Sequence, residues 1–128
     1  MRNGGQWTES RFHSFVKGGL RAISNRWPPK FAVKKAAWVS RGIYMCAGYK
    51  IDSHDVPATL PPPPGHKKRI NNSVVDHILP VVDPKKGFIS WDHLINRLFV
   101  EQEGLQLLCA DCHARKTADE RQIRKENK

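Results

Sequence analysis

Cys109-Ala-Asp-Cys112 is followed directly by His113, and upstream the chain reads Asp76-His77. A Cys-x-x-Cys turn places two thiolates on one zinc ion, and a structural zinc takes four ligands. Cys46, at the end of an earlier predicted strand, is the natural third. The fourth is His54, which lies nearer to Cys46 in sequence, or His66, or a less usual group. His113 stands at a helix start beside the cysteines, so the knuckle would hold it rigidly. Asp76 and His77 are neighbours on a predicted strand, where successive side chains face opposite ways. One can bind a metal while the other points at a water molecule. A divalent cation held by Asp76 and His113 would polarise a phosphate and stabilise a leaving oxygen. His77, neutral at pH 7, would take the proton of the attacking water. Arg115 and Lys116 could pair with neighbouring phosphates.

These residues must be brought together by short elements. Strands are predicted over 43–46, 73–79 and 105–108, the second ended by Pro80. Ser90 caps a helix over 91–101 with Leu94, Ile95, Leu98 and Phe99 inward. A helix starts near Cys112. Thr117-Ala-Asp-Glu120 matches a capping box, which predicts a separate final helix over 118–126. Residues 47–72 read as a long irregular stretch, with four prolines (Pro61 to Pro64) ahead of Gly65-His66-Lys67-Lys68-Arg69. That basic cluster could touch phosphates, and a loop of this length is more often functional or metal-tied than idle.

Toward the N-terminus, Thr8 caps a helix over 9–25 with Phe12, Phe15, Val16, Leu20 and Ile23 on one face. Trp27-Pro28-Pro29 stops it, and a second helix follows over 29–40 with Phe31, Val33, Ala36, Ala37 and Trp38 as its apolar set. The other faces carry Arg11, Lys17, Arg21, Arg26, Lys30, Lys34 and Lys35, which reads as a DNA-gripping arm. Trp27, Trp38 and Trp91 read as core, His13 as a flank residue and His93 as a helix-surface residue.

Bulk properties agree. At 128 residues the chain is one domain, or one domain with an arm. Its formal net charge of +10 calls for a polyanionic partner or an anionic membrane face. Residues 1–45 hold nine Lys/Arg and one Glu, while 46–128 hold thirteen and eleven. The excess therefore lies in the arm. No segment reads as a signal peptide or a membrane span. Three cysteines, two of them in Cys-x-x-Cys, fit a metal site in a reducing cytoplasm better than a disulfide frame.

Val75-Asp-His-Ile-Leu-Pro-Val81, Gly87-Phe-Ile-Ser-Trp91-Asp92, Glu103-Gly-Leu-Gln-Leu-Leu-Cys109 and Cys112-His-Ala-Arg-Lys-Thr117 resemble the HNH endonuclease family. More narrowly, the chain resembles the small free-standing HNH homing endonucleases of tailed phages. Thr8-Glu-Ser-Arg-Phe12 and Arg26-Trp-Pro-Pro-Lys30 are similar to the arms of such proteins. The resemblance implies an α+β fold, with a basic helical DNA-binding arm over 1–42 and a small ββα-metal core with a zinc knuckle over 43–128. It implies hydrolysis of double-stranded DNA, with His77 as general base and Asp76 and His113 holding magnesium or manganese. Cys109 and Cys112, with Cys46, would hold structural zinc. If phage-encoded, the protein would work in the host bacterial cytoplasm. Two positions depart from the family pattern. Gly104 stands where the middle Asn commonly precedes Leu-Gln-x-Leu-Cys, so another polar residue such as Asn96 would have to serve. Tyr49 stands where a paired knuckle has its second cysteine. Two rival readings follow: a zinc-bearing DNA-binding module that does not cut, and a nuclease active only with a partner such as a terminase.

Overall fold

The computed structural model describes residues 2–127. Helix α1, Glu9–Ser24, is capped by Thr8, whose hydroxyl accepts the Arg11 N–H at 3.1 Å. Two prolines open α2, Pro28–Ala36, where they sacrifice no helical hydrogen bond. This helix is shorter than the 29–40 predicted. Trp38–Ser40 forms strand β1 instead, antiparallel to β2, Ile43–Cys46. Gly42 turns the hairpin at a φ of 78°, and aromatic and β-branched residues at 38 and 39 suit a strand.

Strand β3, His54–Pro57, pairs with the whole of β2, setting Cys46 opposite His54. Strands β4, Thr59–Leu60, and β5, Ile70–Asn71, close a small hairpin around the polyproline loop. The stretch predicted as irregular is therefore partly sheet. Its strands span only two to four residues, too short for alternation to register.

Strand β6, Val74–His77, pairs antiparallel with β7, Leu105–Leu108, which puts Asp76 opposite Gln106 and His77 opposite Leu105. Between them come the Asp83–Gly87 turn, α3, Trp91–Leu98, and a single 3-10 turn, Gln102–Gly104. Helix α4, Ala110–Glu126, is continuous. The break expected at Thr117 does not occur, because no Gly or Pro interrupts the run and the helix has its N-cap at Cys109. The result is a mixed α+β fold with small sheets.

Among the described residues, buried apolar side chains form three clusters. Val56 and Leu108 pack with the three cysteines, and Val33 packs on Leu105 and Leu107. Val81, Leu94 and Leu98 form the third, and Leu20 of α1 docks against it. The expected inward face of α1 is only partly covered: Phe12, Val16 and Leu20 are half-buried, but Phe15 is 65% exposed and Ile23 51%. Trp38, expected in the core, is 57% exposed. Trp27 is held as expected, its Nε1–H donating to the Val100 carbonyl at 2.7 Å. His13 packs against Trp91, with ring centres 4.8 Å apart and planes tilted by 43°. The boundary expected after residue 42 falls inside the β1–β2 hairpin, so the arm is partly built into the sheet.

Candidate metal centre and hydrolytic site

Sheet register and one helix cap converge four donors. Cys46 ends β2, His54 begins β3 opposite it, and β7 delivers Cys109 to the first turn of α4, where Cys112 follows. Their ligand atoms all lie within 4.8 Å of one another. Three thiols and an imidazole are zinc's preferred donor chemistry, so this group could hold a structural metal such as zinc. His54 Nδ1 lies 3.0 Å from the Asp52 carbonyl and can donate to it. That leaves Nε2, 3.7 Å from the Cys109 sulfur, as the free donor. His54 is thus the fourth member of the group, while His66 sits exposed on the polyproline loop. Backbone N–H groups of Cys109 and Gly48 donate to the Cys46 sulfur at 3.2 and 3.4 Å. Burial pushes the Cys109 thiol up, but hydrogen bonds from the Cys112 N–H, His54 and the other two thiols bring it down to about 7. Burial drives Cys112 up to about 11.

Tyr49 has another task than ligation. Its ring packs on the cysteine cluster, and its hydroxyl donates to Asp119 Oδ2 at 2.7 Å. Lys50 Nζ lies 2.9 Å from the same oxygen, so the metal loop is laced to α4. Gly48 makes the tight turn possible: at a φ of 82°, an added Cβ would lie 2.3 Å from the Ile51 carbonyl oxygen.

Residues of β6 and α4 also line a cavity of about 200 Å³. Asp76, His77 and His113 line it, together with Arg21, Glu120 and Arg124. Asp76 Oδ2 is saturated by Gln106 Nε2 at 3.0 Å and Lys116 Nζ at 2.5 Å. Its other oxygen lies 3.8 Å from His113 Nε2. Two donors at about 2.1 Å from one ion lie about 3.0 Å apart at adjacent octahedral positions, so this pair would have to close by about 0.8 Å to share a small divalent cation.

Lys116 does not belong among the phosphate contacts expected from sequence. It is only 7% exposed, and besides Asp76 its ammonium donates to the His77 and Ile78 carbonyls. A buried charge needs such partners, and these clamp the end of β6 onto α4. Arg115 is likewise committed: it donates to Asp111 at 2.8 Å and to the Cys112 sulfur at 3.6 Å, facing the cysteine cluster.

His77 Nε2 lies 2.8 Å from the Leu98 carbonyl, which can only accept. Nε2 therefore carries the proton and Nδ1 keeps its lone pair. Burial holds the imidazole below its ordinary range, with Lys30 and Arg21 adding to the depression and the Leu98 bond opposing it. The ring is neutral at pH 7. Its orienting partner is thus a carbonyl at the end of α3, where helix carbonyls lack intrahelical partners. Asn96, the expected substitute for the missing Asn, is exposed on α3 and does not line the cavity.

Gly104 is small for a packing reason. A Cβ there would lie 3.0 Å from Val100 Cγ2, while its carbonyl accepts the Ile78 N–H at 3.0 Å. Gly104→Asn is expected to cost about 1–3 kcal/mol by overpacking. A denaturant melt with an unchanged midpoint would refute this.

Glu120 and Arg124 were not expected at the cavity. They share a face with His113 once α4 is read as one helix. The capping-box match at Thr117 hid that spacing. Gln106 is found only through the strand register that sets it opposite Asp76.

Of the basic residues assigned to DNA, Arg26, Lys35, Lys67 and Lys68 are exposed. Arg11 lies over Trp7, Lys17 over Phe88 and Lys34 over Tyr44. Lys30 is half-buried and donates to Ser24 Oγ at 3.2 Å. Arg69 braces its own hairpin, donating to Thr59 Oγ1 at 2.8 Å. Among the described residues, no helix is long and apolar enough to cross a membrane. Compared with protein-family models, curated proteins and solved structures, the chain matches none.

Proposed function

We propose that this chain is a metal-dependent endonuclease of the HNH kind that hydrolyses double-stranded DNA. The observation that carries the reading is a division of labour around one cavity. His77 commits Nε2 to Leu98 and keeps Nδ1 free, while Asp76 Oδ1 and His113 Nε2 stand 3.8 Å apart. Magnesium or manganese held by those two atoms would polarise the phosphate and neutralise the leaving oxygen.

The chain's own residues do the rest. His77 Nδ1 takes the proton of the attacking water, and the Leu98 carbonyl steadies the imidazolium that forms. Lys116 and Gln106 occupy Asp76 Oδ2 and leave Oδ1 for the cation. The Cys46, His54, Cys109 and Cys112 centre holds the start of α4 and so fixes His113, one residue beyond. In-line attack would leave 5′-phosphate and 3′-hydroxyl ends. The basic N-terminal segment, with exposed Lys67 and Lys68, supplies salt-sensitive attraction to the duplex.

Purified protein is expected to nick or linearise supercoiled plasmid in Mg²⁺ or Mn²⁺ and to do neither in EDTA. Cutting that persists in EDTA would contradict the metal-dependent mechanism. A second reading, a zinc-bearing module that binds DNA without cutting, is favoured by one contact. The Lys116 ammonium on Asp76 opposes a second positive charge there. It predicts salt-dependent binding with no nicking under any of these conditions.

A further inference from the structure

We infer that Arg21 and Arg124 form a two-sided guanidinium clamp on the phosphodiester group that is cut, so that α1 completes the site. This rests on the nuclease reading and extends it to substrate recognition within the cavity. The two arginines come from opposite ends of the chain, the last turns of α1 and of α4. Both line the cavity that holds Asp76, His77 and His113.

Neither guanidinium has a hydrogen-bond or ion-pair partner among the described residues. That sets them apart from Arg97, Arg69 and Arg115, which donate to Pro80, Thr59 and Asp111. Glu120 stands one turn before Arg124 and lines the same cavity, yet its ion pair is with Lys116, at 4.0 Å. The end of α1 is also anchored. Buried Ser24 donates its hydroxyl to the Arg21 carbonyl at 2.7 Å and accepts Lys30 Nζ. The backbone carrying Arg21 is thereby held in place.

The charges favour an anion. Asp76 and Glu120 face Arg21, Arg124 and buried Lys116, an excess of one positive charge before any cation binds. A phosphodiester carries one negative charge and gains another as water attacks. Guanidinium groups bind phosphate oxygens in pairs of parallel hydrogen bonds, and preplaced donors count most where charge develops. A cavity of about 200 Å³ admits a phosphate group but no base pair, so the bases remain outside.

The test uses the full chain and compares single-turnover plasmid cleavage in Mn²⁺ with duplex affinity and its salt dependence. Arg21→Ala and Arg124→Ala should each slow cleavage at saturating DNA by about 10²- to 10³-fold, while affinity and salt slope fall by no more than the loss of about one phosphate contact and the melting temperature stays near wild type. Arg124→Lys should recover only part of the rate, because an ammonium cannot make the paired contact. Wild-type rates in the alanine variants would overturn the clamp. So would a fall in affinity that matches the fall in rate, which marks an ordinary backbone contact.

Titration with inorganic phosphate, followed by the His113 imidazole signals in NMR spectra, gives a readout independent of cutting. The wild type should shift and the Arg21→Ala/Arg124→Ala double variant should not. A protein that never cuts but shows this difference would end the nuclease reading and keep the phosphate clamp. No shift in the wild type would overturn the clamp whether or not the protein cuts.

Discussion

Cys112→Ala is expected to abolish zinc binding and the cooperative thermal transition of the chain. Cys112 is fully buried, and its sulfur lies within 4.8 Å of the Cys46, Cys109 and His54 donors. These residues, with Val56 and Leu108, make up one of three small apolar clusters. Structural zinc contributes roughly 10–16 kcal/mol in small zinc-bearing peptides. Net domain stability is only about 5–15 kcal/mol. Loss of the ion therefore exceeds what the remaining clusters can offset. Metal analysis should find one zinc per wild-type chain and none in the variant. Circular dichroism should show a sharp melt only for the former. A zinc-free wild type, or a variant that melts as the wild type does, would refute the structural role. Cys112→Ser serves as a gentler control, since it keeps the side-chain volume and still removes the thiolate.

The candidate donor residues were more legible in the sequence than the scaffold that gathers them. Cys46, Cys109 and Cys112 are named by residue type and by the Cys-x-x-Cys spacing, and they do converge. Asp76 and His113 are likewise brought together, because one stands next to the end of β6 and the other lies in the first turn of α4. His54 could be favoured over His66 only by nearness to Cys46. The β2–β3 register that sets it opposite Cys46 is a long-range fact. Lys116 was misplaced for a related reason. A lysine in a polar helix reads as solvated, and only the fold reveals that Asp76 and two strand carbonyls surround it. The orienting partner of His77 could not be read at all, since a backbone carbonyl leaves no trace in residue identity. The partly covered face of α1 is the converse case. Its helical period is plain in the sequence, but periodicity cannot tell how much of an apolar face finds a neighbour.

His77→Ala should remove most of the catalysis while leaving the fold and the DNA affinity in place. The imidazole makes one hydrogen bond, to Leu98 at a helix end, and contributes no ligand to the cysteine centre. Losing that bond costs about 1 kcal/mol of stability. A positioned general base, by contrast, contributes about 10²- to 10⁴-fold in rate. Asp76 and His113 are untouched, so cation binding should survive, as should the basic surfaces. The decisive measurement is single-turnover cleavage of supercoiled plasmid in Mn²⁺ by wild type and His77→Ala, at protein concentrations that saturate the DNA. A wild type that cuts, beside a variant that binds equally well but cuts at least 10²-fold more slowly, is the predicted result. Equal rates would contradict the role of His77, and with it the mechanism proposed for this site.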